Sequence, residues 1–540
     1  MKKNYPYYEH DKINNINELI NESIKYNKND IAFFYNDENR NTIYKTYVDF
    51  YNDVISIKKY LFNNYKNEHI GIMSENSYNY LVLFIGIVLS NNVAVMIDKD
   101  TDKNKLKNLL KITNTKNIFY SLKYCDYVSE IKNIKSYNID NINKYINEGK
   151  GKKYQYYDNK KGYSVLFFTS GTTGANKAVM LTEENIANNI YSSCSLFKPD
   201  GTIFSTLPFH HAFGLITSIL DPFYYHKPIF INSSLKNLMS ELKIAKPNTM
   251  FLVPLFLENF YKQIWTRARR KKQKYLLKST IGISNSLRYI GIDSRDIIFS
   301  SIIKEFGGNL KYIICGGAPL DKKYIKWFRN IGINVLNGYG ITECSPVVAV
   351  NRNEYYRDGS VGQIIKDADV KIINNEIAIK SDSVMKGYYN DNKSTKEVIK
   401  DGYFYTGDLG YIDNDGFLFI TGRRKNIILL SNGENVSPEE IESILRDDKA
   451  VSEVCVVEKN SKLIAIFYPN EDYLGDQEYF DNLIKKYNKN QPRNRQIALS
   501  ILRYQEFPKN SSKKIVRKKV EIDYEWRSNK DYKWGSRNTS

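Results

Sequence analysis

Apolar residues in this chain come in short, dense runs set between polar loops, and each run predicts an element. Tyr163 to Phe168 reads YSVLFF, a run of strand length, and the acid-led stretch LTEENIANNI from Leu181 to Ile190 is suited to open a helix. Between them FTSGTTGANKAVM, Phe168 to Met180, joins the strand to a further element. LVLFIGIVL, Leu81 to Leu89, is the longest uninterrupted apolar run; it is too short to span a bilayer and predicts a buried element. The apolar YII at Tyr312 to Ile314 predicts a strand that ends at paired glycines. From Asp401 to Gly422 the chain reads as a hairpin, with YIDN and FLFIT flanking Asp415-Gly416, and runs straight into the charged GRRKN at Gly422 to Asn426. Beyond it, Ser437-Pro438-Glu439-Glu440 supplies an N-cap serine, a proline at the first helical position and acidic residues in the first turn; Ile441, Ile444 and Leu445 then share one face of the predicted helix.

Composition adds limits. With 540 residues, 42% hydrophobic and 26% charged, the chain is too long for one core, so a large domain over 1–421 and a small one over 422–540 are expected. The net charge of +19 favours anionic partners such as nucleotides, acidic proteins or anionic lipid without choosing among them, and the 44 tyrosines read as a bias of the source. Five scattered cysteines with no zinc-like spacing suit a reducing compartment. The start, MKKNYPYYEHDKINN, lacks the apolar core of a signal peptide, and no repeat period is apparent. A cytoplasmic location is expected, with peripheral contact at the inner face of the membrane left open.

Several segments carry candidate chemistry. Gly171 and Gly174 let backbone N–H groups approach an anion, Ser170, Thr172 and Thr173 add hydroxyls and Lys177 adds charge, which is a phosphate site; the same residues also make a plain surface loop. A Walker A loop is excluded, because Lys177 follows Asn176 and precedes Ala178. LPFHHAFGL, Leu207 to Leu215, has two histidines among apolar residues, as a pocket wall or a satisfied core would. CGGAPL, Cys315 to Leu320, lets a flat ligand approach backbone, and NGYGITECSP, Asn337 to Pro346, offers a ring at Tyr339, a hydroxyl at Thr342 and a carboxylate at Glu343. YTGDLG presents Asp408 on a tight loop, where it is a diol acceptor or a turn aspartate. FPKNSSKKIVRKKV, Phe507 to Val520, is a basic segment that is otherwise a solvated charge run.

Taken jointly and in this order, the segments resemble the motif series of the adenylate-forming superfamily: acyl-CoA synthetases, firefly-type luciferases and peptide-synthetase adenylation domains. The resemblance runs from GIMSENSYNYLVLFIGIVL to the last lysines. It implies an α/β fold: a large N-terminal domain of layered α/β subdomains plus a small β-barrel, followed by a small, mobile α+β C-terminal domain. It further implies that Thr169, Ser170, Gly171, Thr172, Thr173, Gly174 and Lys177 hold the β and γ phosphates of ATP. Gly317 and Ala318 would lie near the adenine with Tyr339 stacked on it, Thr342 would meet the α-phosphate, Glu343 would hold Mg²⁺, and Asp408 and Arg423 would hold the ribose. Lys514 would be the adenylation lysine, Lys425 the hinge and Gly433 part of the thiol tunnel. His211, with Phe213, Gly316 and Gly317, would border the acyl pocket, His211 as its movable aromatic and as one of the catalytic residues with Lys514, Thr342 and Glu343. The sequence departs from the family pattern at Asn176, Ala178 and Lys513, where proline, glycine and glycine are usual.

The region Thr249 to Ser279, with VPLFLENFYKQI inside it, is similar to a segment of long-chain fatty acyl-CoA synthetases, and ECSPVVAVN from Glu343 to Asn351 resembles the bacterial long-chain and acyl-carrier-protein synthetases. The implied function is an ATP-dependent, AMP-forming fatty acid:CoA ligase for a medium- or long-chain acid, with ATP, Mg²⁺ and CoA (or carrier-protein phosphopantetheine) and no nucleic-acid partner. An acyl-carrier-protein ligase, an aryl acid ligase and a non-catalytic acyl or nucleotide binder remain alternatives. RARRKKQK, Arg267 to Lys274, carries six basic residues in eight beside Trp265 and reads as a contact for CoA phosphates, an acidic carrier protein or an anionic membrane, or as a solvated helix face.

Overall fold

The computed structural model describes residues 5–26, 28–154, 161–170, 176–430, 435–460, 462–509 and 515–521. It divides into two compact units, the first Met1–Lys371 with Ala378–Tyr405 and Ile412–Leu418, the second Ile372–Ile377 with Thr406–Tyr411 and Phe419–Ser540.

The first unit holds two sheets. In one, parallel strands run in the order Asn334–Gly340, Tyr312–Cys315, Thr249–Leu252, Ile203–Ser205, Ile229–Ile231 and Ile31–Asn36, and Thr42–Thr46 closes one edge antiparallel. At the other edge the antiparallel strands Val347–Val350 and Gly362–Ile364 continue from Asn334–Gly340. The other sheet has the order Gly387–Tyr388, Asn176–Leu181, Val165–Ser170, Val93–Met96, His69–Met73, Asn117–Tyr120 and Lys135–Asn138. The inner parallel strands Ile203–Ser205, Ile229–Ile231, Thr249–Leu252, His69–Met73, Val93–Met96 and Asn117–Tyr120 are buried along their whole length, as strands covered on both faces are.

The Leu81 to Leu89 run lies in the helix Tyr78–Leu89, in which every side chain from Tyr80 onward is buried. Gly86 lets this helix lie close on its neighbour Tyr47–Asn64, since a Cβ there would stand 2.4 Å from Cγ2 of Ile57. The element after the glycine-rich loop is a second strand: Val165–Ser170 pairs antiparallel with Asn176–Leu181, with Thr169 opposite Lys177. The predicted helix follows as Glu183–Cys194, its N-terminus closed by reciprocal hydrogen bonds between Thr182 and Asn185.

In the second unit, Val451–Lys459, Lys462–Pro469 and Ile497–Leu502 form a three-stranded sheet, and the helices Pro438–Arg446 and Gln477–Asn488 share its core of Leu445, Val454, Phe467 and Phe480. Two details differ from the sequence expectation. Ser437 precedes the helix but does not cap it, because its hydroxyl donates to the carbonyl of Thr421 at 2.9 Å. Ile444 points outward and is exposed, while Glu442 is buried beside Ile441 and Leu445. Glu442 can be buried there because Arg517 pairs with it at 2.7 Å and the N–H of Val456 donates to it at 2.7 Å.

Among the described residues no helix is long and apolar enough to cross a membrane. The described cysteines, Cys194, Cys315, Cys344 and Cys455, are free and buried.

Candidate functional site

The strand pairing of the second sheet builds one cluster. Gly387–Tyr388 runs antiparallel to Asn176–Leu181, with Tyr388 opposite Val179, and Lys177 reaches over the Tyr388 ring with its Nζ 4.7 Å from the centroid. The Tyr388 hydroxyl donates to Oε1 of Glu343 at 2.9 Å. Burial first, and the Glu343 carboxylate second, push the Tyr388 phenol above its ordinary range, so it keeps its proton and stays a donor. Lys177 and Glu343, 166 positions apart in sequence, are thus joined through a tyrosine that motif reading did not single out.

The turn Thr342–Cys344 that carries Glu343 is fixed from behind. Asn189, fully buried on the helix Glu183–Cys194, donates to the carbonyls of Cys344 at 3.0 Å and Val347 at 2.9 Å, and accepts from the N–H of Val347 at 3.0 Å. The N–H of Met385 donates to the Glu343 carbonyl at 2.8 Å, which ties the same turn to the segment leading into Gly387–Tyr388. In the sequence this asparagine is one of many; only its buried, fully satisfied amide distinguishes it.

A second cluster gathers at the ends of the parallel strands. Cys315 ends its strand and pairs with Asn337, so Gly316 and Gly317 lie next to the segment carrying Tyr339. A Cβ on Gly316 would stand 3.1 Å from Cζ of Phe213 and 3.4 Å from the Gly338 carbonyl, and one on Gly317 would stand 3.6 Å from Cγ1 of Val253. Gly317 has φ +80°, a left-handed conformation that glycine adopts without strain. Phe213, Gly316 and Gly317 are therefore in mutual contact, with Ala318 half-buried beside them.

His211 precedes the π-helix Phe213–Leu220, a rare conformation that recurs at functional sites. Its ring lies 4.3 Å from that of His210, centroid to centroid. His210 is the buried member of the pair, with Nε2 3.5 Å from Oδ1 of Asp98. Burial, together with the His211 ring, depresses the His210 pKa to about 3 against the pull of Asp98.

In the second unit Asp408 is buried on the strand Tyr403–Ile412, and the half-buried Arg423 donates to it through Nε at 2.8 Å. Gly407, at φ +72°, turns its N–H to Glu376 at 2.9 Å, and Glu376 also pairs with Arg424 at 2.8 Å. Partial burial, then Arg423, lowers the Lys425 pKa, with Asp408 and Glu439 opposing. Asp408, Arg423 and Lys425 are thus one electrostatic group. The side chain of Ser170, and Gly171, Thr172, Thr173, Gly174, Gly433 and Lys514, lie outside the described residues.

An α/β unit with a glycine-rich hairpin, a GYGxTE turn and a separate small α+β unit is the architecture of an adenylate-forming enzyme. The chain belongs to the AMP-binding enzyme family: the family model matches residues 20–389 and the model of the AMP-binding enzyme C-terminal domain matches residues 425–533. It is 32% identical over 338 residues to the long-chain-fatty-acid–CoA ligase 5 of Mus musculus, covering 58% of this chain and 50% of that protein. It is 30% identical over 389 residues to the fatty acyl-CoA synthetase B of Dictyostelium discoideum, covering 66% of this chain and 57% of that protein. The matches thus span about half the length of these curated relatives. Among solved structures it resembles a fatty acyl CoA synthetase of Mycobacterium tuberculosis (TM-score 0.68, 21% identity, 96% of this chain and 100% of that one). It also resembles the o-succinylbenzoate CoA synthetase of Bacillus subtilis in complex with its acyl-adenylate intermediate (TM-score 0.73, 20% identity, 96% of this chain and 99% of that one).

The His210 geometry predicts a pH effect. An imidazole held neutral when folded, but titrating near 6.5 when unfolded, favours the folded state fully above pH 6.5, and that contribution is lost as pH falls toward about 3. Replacing His210 with glutamine should therefore flatten the fall in stability between about pH 6.5 and pH 4. Chemical denaturation across that range checks it, and an unchanged slope contradicts the buried, neutral assignment.

Proposed function

We propose that the chain is an AMP-forming fatty acid:CoA ligase. The observation that carries this reading is the joining of Lys177 and Glu343 through Tyr388, which holds a cation and a carboxylate on either side of one phenol, next in sequence to the glycine-rich segment. The names of the curated relatives support a fatty acid as the substrate and CoA as the acceptor.

In this reading the substrate carboxylate attacks the α-phosphorus of ATP, the bond to the β-phosphate breaks and pyrophosphate leaves. The thiol then attacks the acyl carbonyl and AMP leaves with one oxygen of the acid. Thr169, the backbone and hydroxyls of residues 170–174 and Lys177 take the β and γ phosphates. Tyr339 stacks on the adenine with Gly317 and Ala318 beside it, Thr342 meets the α-phosphate, and Asp408, already oriented by Arg423, accepts from the ribose diol. Glu343, its carboxylate fixed by Tyr388, and Thr342 are the hard oxygen donors that suit Mg²⁺, which when bound neutralises charge between the two anions. His211 and Phe213 border the acyl chain. Lys514 brings an ammonium to the forming acyl-phosphate bond, Lys425 is the pivot and Gly433 part of the thiol path. Delivery to an acyl carrier protein uses the same first step, and anthranilate and o-succinylbenzoate ligases among the structural neighbours keep aromatic acids in the substrate test.

Pyrophosphate release from Mg·ATP should depend on a medium- or long-chain acid and turn over repeatedly only with CoA. A single turnover with CoA would assign a carrier-protein acceptor, and no release with any acid would remove the ligase reading. Lys514→Ala should slow adenylation roughly 10²- to 10³-fold while leaving thioester formation from supplied acyl-adenylate largely intact. An equal fall in both half-reactions in a folded variant would refute the role of Lys514. Tyr388→Phe should lower the adenylation rate roughly 10- to 100-fold and raise the Mg²⁺ concentration needed for half-maximal rate, the effect of removing a partner that orients a metal-binding carboxylate. A normal Mg²⁺ dependence would contradict that role for Tyr388.

A further inference from the structure

We propose that the helix Lys274–Tyr289, with the basic segment before it and the stretch through the short helix Arg295–Ile298 after it, docks the enzyme on an anionic phospholipid membrane. One side of this helix is already committed: Leu277 and Ile281 pack against the core built around Leu257, Phe260 and Phe306, so the element is anchored. Its other side carries large apolar residues in the open. Tyr289 is 93% exposed, Tyr275 81%, Ile290 67%, Leu276 61% and Ile283 60%, and Ile297 in the short helix Arg295–Ile298 that follows is 81% exposed. Leu276, Ile283 and Ile290 are seven residues apart, and Tyr275 and Tyr289 fourteen, so they form adjacent rows along one face. The small residues Ser279, Gly282 and Ser286 lie between them. Scattered apolar residues on a surface are ordinary; aligned rows over a whole helix mark an interaction site.

Charge selects the partner. From Thr266 to Ile292 the chain has eight Lys and Arg residues, six of them within Arg267 to Lys274, and no Asp or Glu. Two copies of such a face repel each other, which argues against self-association. An acidic protein would meet the charge but leave the aliphatic and tyrosine rows without a matching surface. Anionic lipid meets both: headgroup phosphates take the Lys and Arg side chains, while Leu, Ile and Tyr enter the boundary between headgroups and acyl chains. The helix Pro254–Arg270 connects this surface to the candidate site, since it begins next to Val253, the residue facing Gly317. Its 17 residues span about 25 Å at the α-helical rise. The value of this arrangement to catalysis rests on the fatty-acid reading, whereas the docking does not.

The test uses the full chain with no acid or ATP, sedimented with vesicles of phosphatidylcholine alone or mixed with phosphatidylglycerol, at low and high salt. Binding is expected on the anionic vesicles only, weakening as salt rises. The double variant Ile283→Asn/Tyr289→Ser should bind roughly tenfold to a hundredfold more weakly, and Lys271→Glu/Lys272→Glu at least tenfold more weakly. All replaced side chains are exposed, so the thermal midpoint should not move. Ile283→Trp keeps the face apolar, should bind like the parent, and should shift its emission to the blue on anionic vesicles. Failure of the parent chain to bind, binding unaffected by the four substitutions, absence of the emission shift, or lipid-free self-association abolished by Ile283→Asn/Tyr289→Ser would each overturn the proposal.

Discussion

The hydrogen bond from the Tyr388 hydroxyl to Glu343 is the constraint on which the candidate site depends. A phenol pressed between a carboxylate and the ammonium of Lys177 can only donate to the acid, and its raised pKa removes the alternative of ionisation. One side chain therefore fixes the spacing of two opposite charges. For the proposed reaction, which brings a carboxylate to a polyphosphate, that spacing matters more than the presence of either charge alone.

The fold places this tyrosine by backbone pairing. The strand Asn176–Leu181 lies between Val165–Ser170 and Gly387–Tyr388, and this pairing sets Lys177 against Tyr388. The buried amide of Asn189 then holds the Glu343 turn through three hydrogen bonds. Leaving those backbone groups unpaired would cost about 1–3 kcal/mol each. The helix bearing Asn189 follows directly on the hairpin, so a continuous stretch from Val165 to Cys194 supplies the loop, the lysine and the clamp.

The segments carrying Lys177, Thr342, Glu343 and Asp408 stand out in the sequence because glycines lie at short, fixed offsets from these polar residues. Strands such as Val165–Ser170 and Tyr312–Cys315 were readable because buried parallel strands leave uninterrupted apolar runs. Tyr388 and Asn189 do not stand out in the sequence because their meaning comes from long-range pairing, and tyrosine and asparagine are abundant throughout the chain. The helix after Ser437 was correctly located, yet its face was displaced: apolar periodicity put Ile444 inside, whereas the ion pair with Arg517 made Glu442 the buried residue. The cluster Arg267 to Lys274 was visible as charge, but the apolar rows behind it became apparent only once Lys274–Tyr289 was a helix with one face already filled.

The central claim is that this site joins an acid to AMP before any thiol enters. The most direct measurement uses a fatty acid with both carboxylate oxygens labelled with ¹⁸O, incubated with Mg·ATP and CoA, and follows the label by mass spectrometry. Attack of the carboxylate on the α-phosphorus predicts one ¹⁸O in each AMP formed and none in pyrophosphate. Label in the released phosphates with none in AMP would contradict it, since the acid would then have attacked a terminal phosphate.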